Sequence, residues 1–372
     1  MKELGIYVHI PFCKKKCKYC DFTSFCLDEK KIEKYFEVLE REIEKFEVDE
    51  NYKVSTVYFG GGTPSYPNEK YIVSIYNKLI EKFGMASVES TIEVNPGTIT
   101  PEKLNSYKKV GFNRLSIGLQ STNERLLKLI GRIHTYDDLL ETYSLAQKAQ
   151  FENINVDLML ALPTQTMEEL VDSLEKVIKI NPNHISLYSL ILEDGTDLKK
   201  QVDSGMLMLP DEKTEREMYW KTKDILEKNG YIHYEISNFA KRGFESKHNM
   251  NCWNQEEYIG FGLAAHSYYK NKRFSNTSNF EDYISEKNKV EIHEIQKEKI
   301  DIAKEYMMLG LRKIDGISIS EFEKKFNVNP LFYFRFELED LTKKGLIEID
   351  LDSIKLTDKG IDLANIVFEE FI

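Results

Sequence analysis

The first two-thirds of the chain alternates between short apolar runs and longer amphipathic stretches. The longer stretches place apolar residues at helical spacing, as Ile32, Tyr35 and Leu39 do within 29–46. The short runs are rich in β-branched and aromatic residues and cover 4–10, 53–59, 90–94, 113–118, 153–158 and 184–190. Repeated strand–helix units predict an α/β fold with a parallel sheet. Because the strands follow one another with no return to an earlier edge, we expect a partial (βα)6 barrel; a doubly wound sheet is the alternative.

The pattern changes after residue 205. Helical spacing near 212–229 ends at an Asn-Gly pair, and a strand-like run covers 231–239. Residues 248–269 are amphipathic at neither period, which is typical of a loop that forms a site. From about residue 296 helical spacing returns, and two short strands within 343–360 predict a winged-helix-like module. The predicted domains are therefore 1–205, 206–295 and 296–372.

The charge balance narrows the possible partners. The chain has 372 residues, and 51 Lys and Arg against 62 Asp and Glu give a net charge of −11. An acidic surface disfavours nucleic acid and anionic membrane surfaces. No apolar stretch is long enough to span a bilayer, and the apolar run 4–13 lacks the basic start of a signal peptide. We expect a cytoplasmic protein with no integral membrane segment.

The cysteines provide the strongest chemical signal. An odd number, with four packed within fourteen residues, does not make a disulfide framework and indicates a reducing compartment: Cys13, Cys17, Cys20, Cys26 and Cys252. The first three form a C-x3-C-x2-C motif directly after the first predicted strand. Soft thiolates suit an iron–sulfur cluster, and three of them leave one iron free to bind a ligand. A zinc site with His9 or Cys26 as fourth ligand is the alternative. Otherwise Cys26 is expected to be a small buried residue.

A second signal lies at the ends of the other predicted strands. Residues 58–64 (YFGGGTP) end the second strand with three glycines, which let a backbone approach a ligand closely. Glu93, Gln120 and Asp157 each fall at or near the end of a later strand, in apolar surroundings. In βα barrels, sites form where the carboxyl ends of the strands meet. These side chains therefore predict a polar ligand at one mouth of the barrel.

The cysteine triplet and the glycine run together resemble the radical S-adenosylmethionine (SAM) superfamily. The resemblance implies a radical SAM barrel in which three cysteines hold a [4Fe–4S] cluster and SAM chelates the fourth iron. It also implies reductive cleavage of SAM to a 5′-deoxyadenosyl radical. Carried onto the matching positions, the cluster ligands are Cys13, Cys17 and Cys20. The residues that line the SAM site are then Tyr7, Tyr19, Gly61, Gly62, Thr63, Glu93, Gln120, Arg132 and Asp157.

Longer motifs narrow the resemblance to the oxygen-independent coproporphyrinogen III oxidase-like group. The similarity covers nearly all 372 residues and includes 7–13 (YVHIPFC), 59–64 (FGGGTP), 93–96 (EVNP), 118–120 (GLQ), 131–132 (GR) and 157–163 (DLMLALP). The dehydrogenases of the group resemble C-x3-C-x2-C-x-C with a long N-terminal extension. Here Phe22 stands at the fourth cysteine's place, and the first cluster cysteine is already residue 13. Both differences favour the heme-chaperone branch of the group.

A second motif carries the link to heme. Residues 248–253 (HNMNCW) resemble the H-N-x-x-Y-W box of that branch, which is implicated in heme binding, with Cys252 where the branch has Tyr. Histidine is a common axial ligand of heme iron, and Trp253 offers a face for stacking. The heme ligand stays open between His248 and Cys252, with His266 as a further candidate. A hydrogen-bonded structural role is the alternative for His248.

The sequence therefore predicts a heme chaperone that binds a [4Fe–4S] cluster, SAM and heme. It is expected to deliver heme to hemoproteins, and respiratory hemoproteins are one candidate class of acceptor. Whether it is an enzyme stays open. It is expected to be able to cleave SAM and to lack coproporphyrinogen oxidase activity. The first alternative is an oxygen-independent coproporphyrinogen III dehydrogenase or a related radical SAM decarboxylase. A zinc-stapled winged-helix regulator is a third, non-catalytic alternative.

Overall fold

The computed structural model describes residues 1–85, 88–287, 290–294 and 299–372. Its first half alternates strands and helices as the sequence predicts, and all six predicted strands are confirmed. The elements are β1 (Lys2–Ile10), α1 (Glu29–Lys45), β2 (Tyr52–Gly61), α2 (Glu69–Phe83), β3 (Glu89–Val94), α3 (Pro101–Val110), β4 (Arg114–Gln120), α4 (Glu124–Leu129), α5 (Tyr136–Lys148), β5 (Asn153–Leu160), α6 (Met167–Ile180) and β6 (His184–Ser189).

Local chemistry fixes the start of several of these helices. Thr135 and Thr166 begin α5 and α6 with capping boxes, in which the threonine hydroxyl accepts from the third helical N–H and the side chain at that position accepts in return. Each helix turns its apolar stripe towards the sheet. In α1, Ile32, Tyr35 and Leu39 are all buried, as their spacing predicts.

The second half of the chain adds shorter elements. These are α7 (Asp197–Asp203), α8 (Glu212–Lys228), β7 (Ile232–Glu235), β8 (Asn238–Ala240), α9 (Lys247–Trp253), β9 (Tyr258–Phe261), β10 (His266–Tyr269), β11 (Lys272–Asn276), α10 (Phe280–Ile284), β12 (Val290–Glu294), α11 (Lys299–Gly310), β13 (Ile317–Ser318), α12 (Ile319–Phe326), α13 (Pro330–Tyr333), α14 (Arg335–Lys343), β14 (Ile347–Ile349), β15 (Ser353–Leu356), α15 (Asp358–Asp362) and α16 (Ala364–Glu369).

The strands form one twelve-stranded sheet and one three-stranded sheet. In the large sheet β1 to β6 are adjacent and parallel, in sequence order. The antiparallel pair β8 and β7 extends the β6 edge. On the opposite edge β9 pairs with β1 in parallel, followed by β10, β11 and β12. The six predicted strands therefore follow one another across the sheet as expected, and β9, from the later part of the chain, is added at the β1 edge.

Two further expectations need comment. Residues 248–269 form α9, β9 and β10 rather than a continuous loop. The predicted strands within 343–360 are confirmed as β14 and β15, which with β13 form the small antiparallel sheet of the C-terminal module. The division into domains at 205 and 295 stays a prediction, and the second boundary lies at residues outside the described ranges.

The C-terminal module is docked against the β7–β8 turn. Ile236 N donates to Arg312 O over 3.1 Å, and Ile314 N donates to Tyr234 O over 3.1 Å. These backbone hydrogen bonds attach the segment that follows α11 to the far edge of the large sheet. Within the described ranges, the structure has no helix that is long and apolar enough to cross a membrane.

Candidate cluster and cofactor site

The loop between β1 and α1 carries the three cysteines, and we call its residues 11–28 the cysteine loop. Its base is closed by backbone pairing: Cys13 N donates to Phe25 O over 2.9 Å, and Phe25 N donates to Pro11 O over 2.7 Å. Within the loop, Cys20 N donates to Cys17 O over 3.3 Å. The three thiols are close enough that the charge of Cys17 raises the pKa of both Cys13 and Cys20, after the larger effect of burial.

The glycine run is packed directly against the cysteine loop. Gly62 N donates to Ile10 O over 2.9 Å, and Thr63 N donates to Phe12 O over 2.8 Å, which continues the β1–β2 pairing beyond the strands. A Cβ at Gly62 would lie 2.9 Å from the Phe12 backbone and 3.1 Å from Cys13 Sγ. The glycines are thus required for this close approach, which seats the first cysteine on the end of β2.

Residues on β3 and β5 face the interior of the barrel. Glu93 Oε1 accepts from the Tyr58 hydroxyl over 2.9 Å, and Oε2 accepts from Gly61 N over 3.1 Å. Burial, and after it the charge of Asp157, raises the pKa of Glu93 to about 7. Asp157 accepts from Asn155 Nδ2 over 2.6 Å, and burial raises its pKa as well. Two carboxylates from alternate strands therefore share one low-dielectric interior.

The other predicted SAM-site residues lie around the same mouth. Tyr7 is hydrogen bonded to His9 Nδ1 over 3.0 Å, and Gln120 ends β4 with a φ of +74°. Arg132 Nη1 donates to Asn95 Oδ1 over 2.9 Å, and Nη2 donates to the Tyr19 hydroxyl over 2.8 Å. This arginine joins the end of β3 to the cysteine loop.

The structure also shows how these residues fit the expected groups. Arg132 Nε is buried with no hydrogen-bond partner among the described residues, so it can donate to a ligand carboxylate. A cavity of about 40 Å³ lies between Arg132, Cys17, Thr63 and Asn95. Ligand pockets usually measure about 300 Å³ or more, so this cavity accommodates only part of a nucleoside-sized ligand.

The structure removes one of the two candidates for the fourth ligand of the alternative zinc site. Both ring nitrogens of His9 are engaged, Nδ1 with Tyr7 and Nε2 with Thr23 O at 2.8 Å. Cys26 is exposed, which corrects the expectation of a buried residue. In the described ranges no three His, Cys, Asp or Glu side chains converge on a single metal-ion position. A cubane cluster needs no such convergence, since each thiolate binds a different iron.

The predicted heme ligand lies elsewhere, at the other end of the strands. His248 is buried: Nδ1 is 2.9 Å from Thr56 Oγ1, and its ring stacks on Tyr58 at 5.1 Å. Its backbone N donates to Glu89 Oε1 over 3.2 Å. Burial, and then the charge of Arg114, lowers the pKa of His248 to about 4, so the ring is neutral.

The other two heme-ligand candidates differ in accessibility. Cys252 is half-buried, and burial raises the pKa of its thiol to about 11, so the thiol is protonated. His266, at the start of β10, is exposed. Asn249 and Trp253 lie four residues apart on a different face of α9 from His248 and line a separate cleft. The structure does not bring the three candidate ligands together, and the choice between them stays a prediction.

Three contributors to the interior were not singled out from the sequence. Asn95 and Tyr58 hold Arg132 and Glu93 in place. Arg114 is buried at the start of β4. Its positive charge partly offsets the rise that burial causes in the pKa of Glu93 and of Asp157. The sequence feature that could have revealed Arg114 is an arginine at the start of an otherwise apolar strand. Asn95 could have been found within the EVNP run, and Tyr58 as the residue just before the FGGG run.

Comparisons with known proteins agree with this architecture. Residues 7–177 match the family model "Radical SAM superfamily", and residues 298–363 match "HemN C-terminal domain". The chain superposes on the coproporphyrinogen III oxidase HemN from Escherichia coli with a TM-score of 0.85 and 25% identity, covering 100% of this chain and 90% of that one. The fold and the cluster site therefore define a radical SAM protein, whose cofactors are a [4Fe–4S] cluster and SAM.

Full-length relatives identify the branch. The heme chaperone HemW of Lactococcus lactis subsp. lactis is 39% identical, and the alignment covers 100% of this chain and 98% of that protein. The heme chaperone HemW of Bacillus subtilis is 37% identical, with 98% of each chain covered. The mitochondrial radical S-adenosyl methionine domain-containing protein 1 of Danio rerio is 31% identical, over 98% of this chain and 85% of that one. The chain belongs to the HemW family.

Proposed function

We propose that this protein is a cytoplasmic heme chaperone, which binds a [4Fe–4S] cluster, SAM and heme and delivers heme to hemoproteins. The observation that carries the proposal is the 39% identity to a heme chaperone over the whole chain. The cysteine loop agrees, because an exposed Phe22 occupies the position of the fourth cysteine.

At the cluster centre, Cys13, Cys17 and Cys20 would hold the cubane, and the fourth iron would be left for SAM. A bound cluster supplies an electron to the sulfonium of SAM when reduced. Arg132 would bind the SAM carboxylate through Nε, and Glu93 and Asp157 would accept hydrogen bonds from its hydroxyls. Because these groups lie inside the barrel, they orient the ligand away from bulk water.

For heme, His248 and Cys252 remain the proposed iron ligands, with His266 as the third. The burial of His248 sets a condition on this role. Its Nδ1 contact with Thr56 and its stacking on Tyr58 hold the ring inside the barrel, so Nε2 is the ring nitrogen that these contacts leave for iron. Cys252 is closer to the surface but needs to lose its proton to bind iron as a thiolate.

The test is a titration of the anaerobically reconstituted protein with hemin, followed by the Soret absorbance. We expect saturation near one heme per chain, and transfer of the bound heme to an apo-hemoprotein when the two are mixed. Coproporphyrinogen III is then supplied with SAM and a reductant under the same conditions, and no decarboxylation is expected. Absence of heme binding together with decarboxylation would replace the chaperone by the dehydrogenase.

A further inference from the structure

A cleft of about 550 Å³ separates the barrel edge from the C-terminal module. The end of β6 and the β7–β8 turn form one wall, α9 forms the second, and α15 and α16 form the third. None of its lining residues belongs to the predicted SAM site. Its volume lies within the range of roughly 300–1,000 Å³ that is usual for small-molecule sites.

Four buried polar atoms of the lining residues have no hydrogen-bond partner in the described part of the chain. Two are donors, Arg312 Nε and Trp253 Nε1; two are acceptors, Glu235 Oε2 and Asn238 Oδ1. A buried polar group without a partner costs about 1–3 kcal/mol, and the two donors, Arg312 Nε and Trp253 Nε1, are the pair that an anionic ligand would complete.

Arg312 is the central member of this group. Its carbonyl accepts from Ile236 N, so its backbone is fixed on the β7–β8 turn. Its guanidinium lies 4.5 Å from the Trp253 ring and 5.7 Å from the Phe368 ring. Aromatic faces hold a guanidinium while leaving its N–H groups free in the plane. No carboxylate of a described residue lies within ion-pair distance of Arg312, although the charge of Arg312 does act on Glu235.

The cleft's other arginine is already paired. Arg216 Nη2 lies 2.6 Å from Glu215 Oε1, and Nη1 lies 3.8 Å from Asp362 Oδ1. Arg312 is therefore the cation that is available to an anionic ligand. The rest of the lining mixes polar residues, among them Asn249 and Asp362, with apolar ones that include Leu187, Ile236 and Phe368. The combination suits a broad apolar ligand with a carboxylate at its edge.

We propose that the cleft binds the carboxylate edge of a tetrapyrrole: Arg312 and Trp253 Nε1 donate to one propionate, and the apolar walls cover part of the ring. This inference rests on the proposed heme-chaperone function and adds the residues that recognise the porphyrin rather than its iron.

The location agrees with the arrangement of α9. His248 enters the barrel interior, while Asn249 and Trp253 line the cleft. The short helix α9 therefore contacts the barrel interior, where Tyr58 and Glu93 lie, on one face. On another face it contacts the proposed porphyrin site. The C-terminal module completes the cleft, because Arg312 and Phe368 both follow the start of α11.

The test compares three tetrapyrroles in the cluster-loaded full-length protein. Hemin carries two propionates and iron, protoporphyrin IX carries the propionates without iron, and hemin dimethyl ester carries iron without a free carboxylate. Each is titrated, in one detergent-containing buffer, into wild type, Arg312→Gln and Arg335→Gln. Arg335 is the matched control, an exposed arginine of the same module that is paired with Glu339.

We expect Arg312→Gln to weaken hemin and protoporphyrin IX by a similar factor of about 10–100, with the ester unaffected. Arg335→Gln should leave all three affinities unchanged, and Arg312→Lys should give an intermediate loss because it keeps the charge without the fork. Equal weakening of the ester, or unchanged hemin binding in Arg312→Gln, overturns this inference and leaves the chaperone function standing. A wild type that binds no tetrapyrrole overturns both. Thermal melting of each variant separates loss of the contact from loss of the fold.

Discussion

Tyr58 donates its hydroxyl hydrogen to Glu93 Oε1 over 2.9 Å inside the barrel, beside the glycine run. The second carboxylate oxygen accepts from the backbone N–H of Gly61. The carboxylate is therefore fixed on both oxygens, yet burial and the charge of Asp157 raise its pKa to about 7. A rigidly held carboxylate that gains a proton near neutral pH links the stability of this interior to pH.

The sign of that link follows from proton binding. Glu93 has a pKa of about 7 in the folded protein against an ordinary value of 4.5. Between these values the folded state binds more protons than the unfolded state, so the contribution of Glu93 to stability is lost as pH rises through this window. Glu93→Gln cannot titrate. We therefore expect the Tm of the variant to rise relative to that of wild type between pH 5 and pH 8. The corresponding change in the free energy of unfolding is roughly 2–3 kcal/mol.

Anaerobic thermal melting of both proteins at several pH values measures this difference. Glu124→Gln is the control, since Glu124 is an exposed glutamate at the start of α4. Its difference from wild type should stay level across the range. A level difference for Glu93→Gln as well would show that the carboxylate ionises as in water.

The cysteine loop gives a prediction with an internal control. Cys20→Ala removes one of three expected thiolate ligands, whereas Cys26→Ala removes an exposed thiol of the same loop. We expect anaerobic reconstitution to give about four irons per chain and a brown chromophore in wild type and in Cys26→Ala. Cys20→Ala should lose most of the iron. Equal loss in both variants would instead indicate Cys26 as a fourth ligand of the cluster, which leaves no iron free to bind SAM.

The six parallel strands could be predicted because each is a short run rich in β-branched and aromatic residues that alternates with a longer amphipathic stretch. The cysteine loop and the carboxylates at the strand ends could be predicted for a related reason: a parallel sheet brings equivalent positions to one edge. The pairing of β9 with β1 could not. It joins Gly5 to Tyr258 in register, about 250 positions apart, and no local pattern carries that information.

The segment 248–269 escaped prediction for a different physical reason. Its helix α9 has only seven residues, and polar side chains such as His248 and Asn249 lie on its buried side, so no apolar stripe reveals a helical period. The contact of Arg132 with Asn95 and Tyr19 was equally hidden, because three separate segments meet there. The residue types were visible in the sequence, but their partners depend on tertiary packing.

A substitution at Gly62 tests whether the close packing of the cysteine loop against the end of β2 requires glycine. A Cβ at this position would lie 2.9 Å from the backbone N and O of Phe12, and backbone atoms cannot move aside cheaply. We expect Gly62→Ala to lower stability by roughly 2–3 kcal/mol and to reduce the iron bound after reconstitution. Gly84→Ala is the matched control. Gly84 has a φ of +60° with nothing within 4 Å of the added methyl, so only about 1 kcal/mol of conformational strain is expected, with full iron content. Similar iron loss in both variants would argue against the steric explanation.

His248 and Cys252 provide the last comparison, because they lie one helical turn apart on α9 and differ in burial. His248→Ala leaves a cavity beside Tyr58 and removes the partner of Thr56 Oγ1, so we expect a loss of roughly 2–4 kcal/mol in the heme-free protein. Cys252→Ala removes a half-buried thiol and should cost about 1 kcal/mol or less. Melting curves measure both. The hemin spectrum then distinguishes an iron ligand from a structural residue, because replacing the iron ligand shifts the Soret band. If Cys252 is the ligand, this shift would occur in a variant of nearly full stability. If neither replacement moves the band, the iron is held by another group and the role of His248 is to close the barrel.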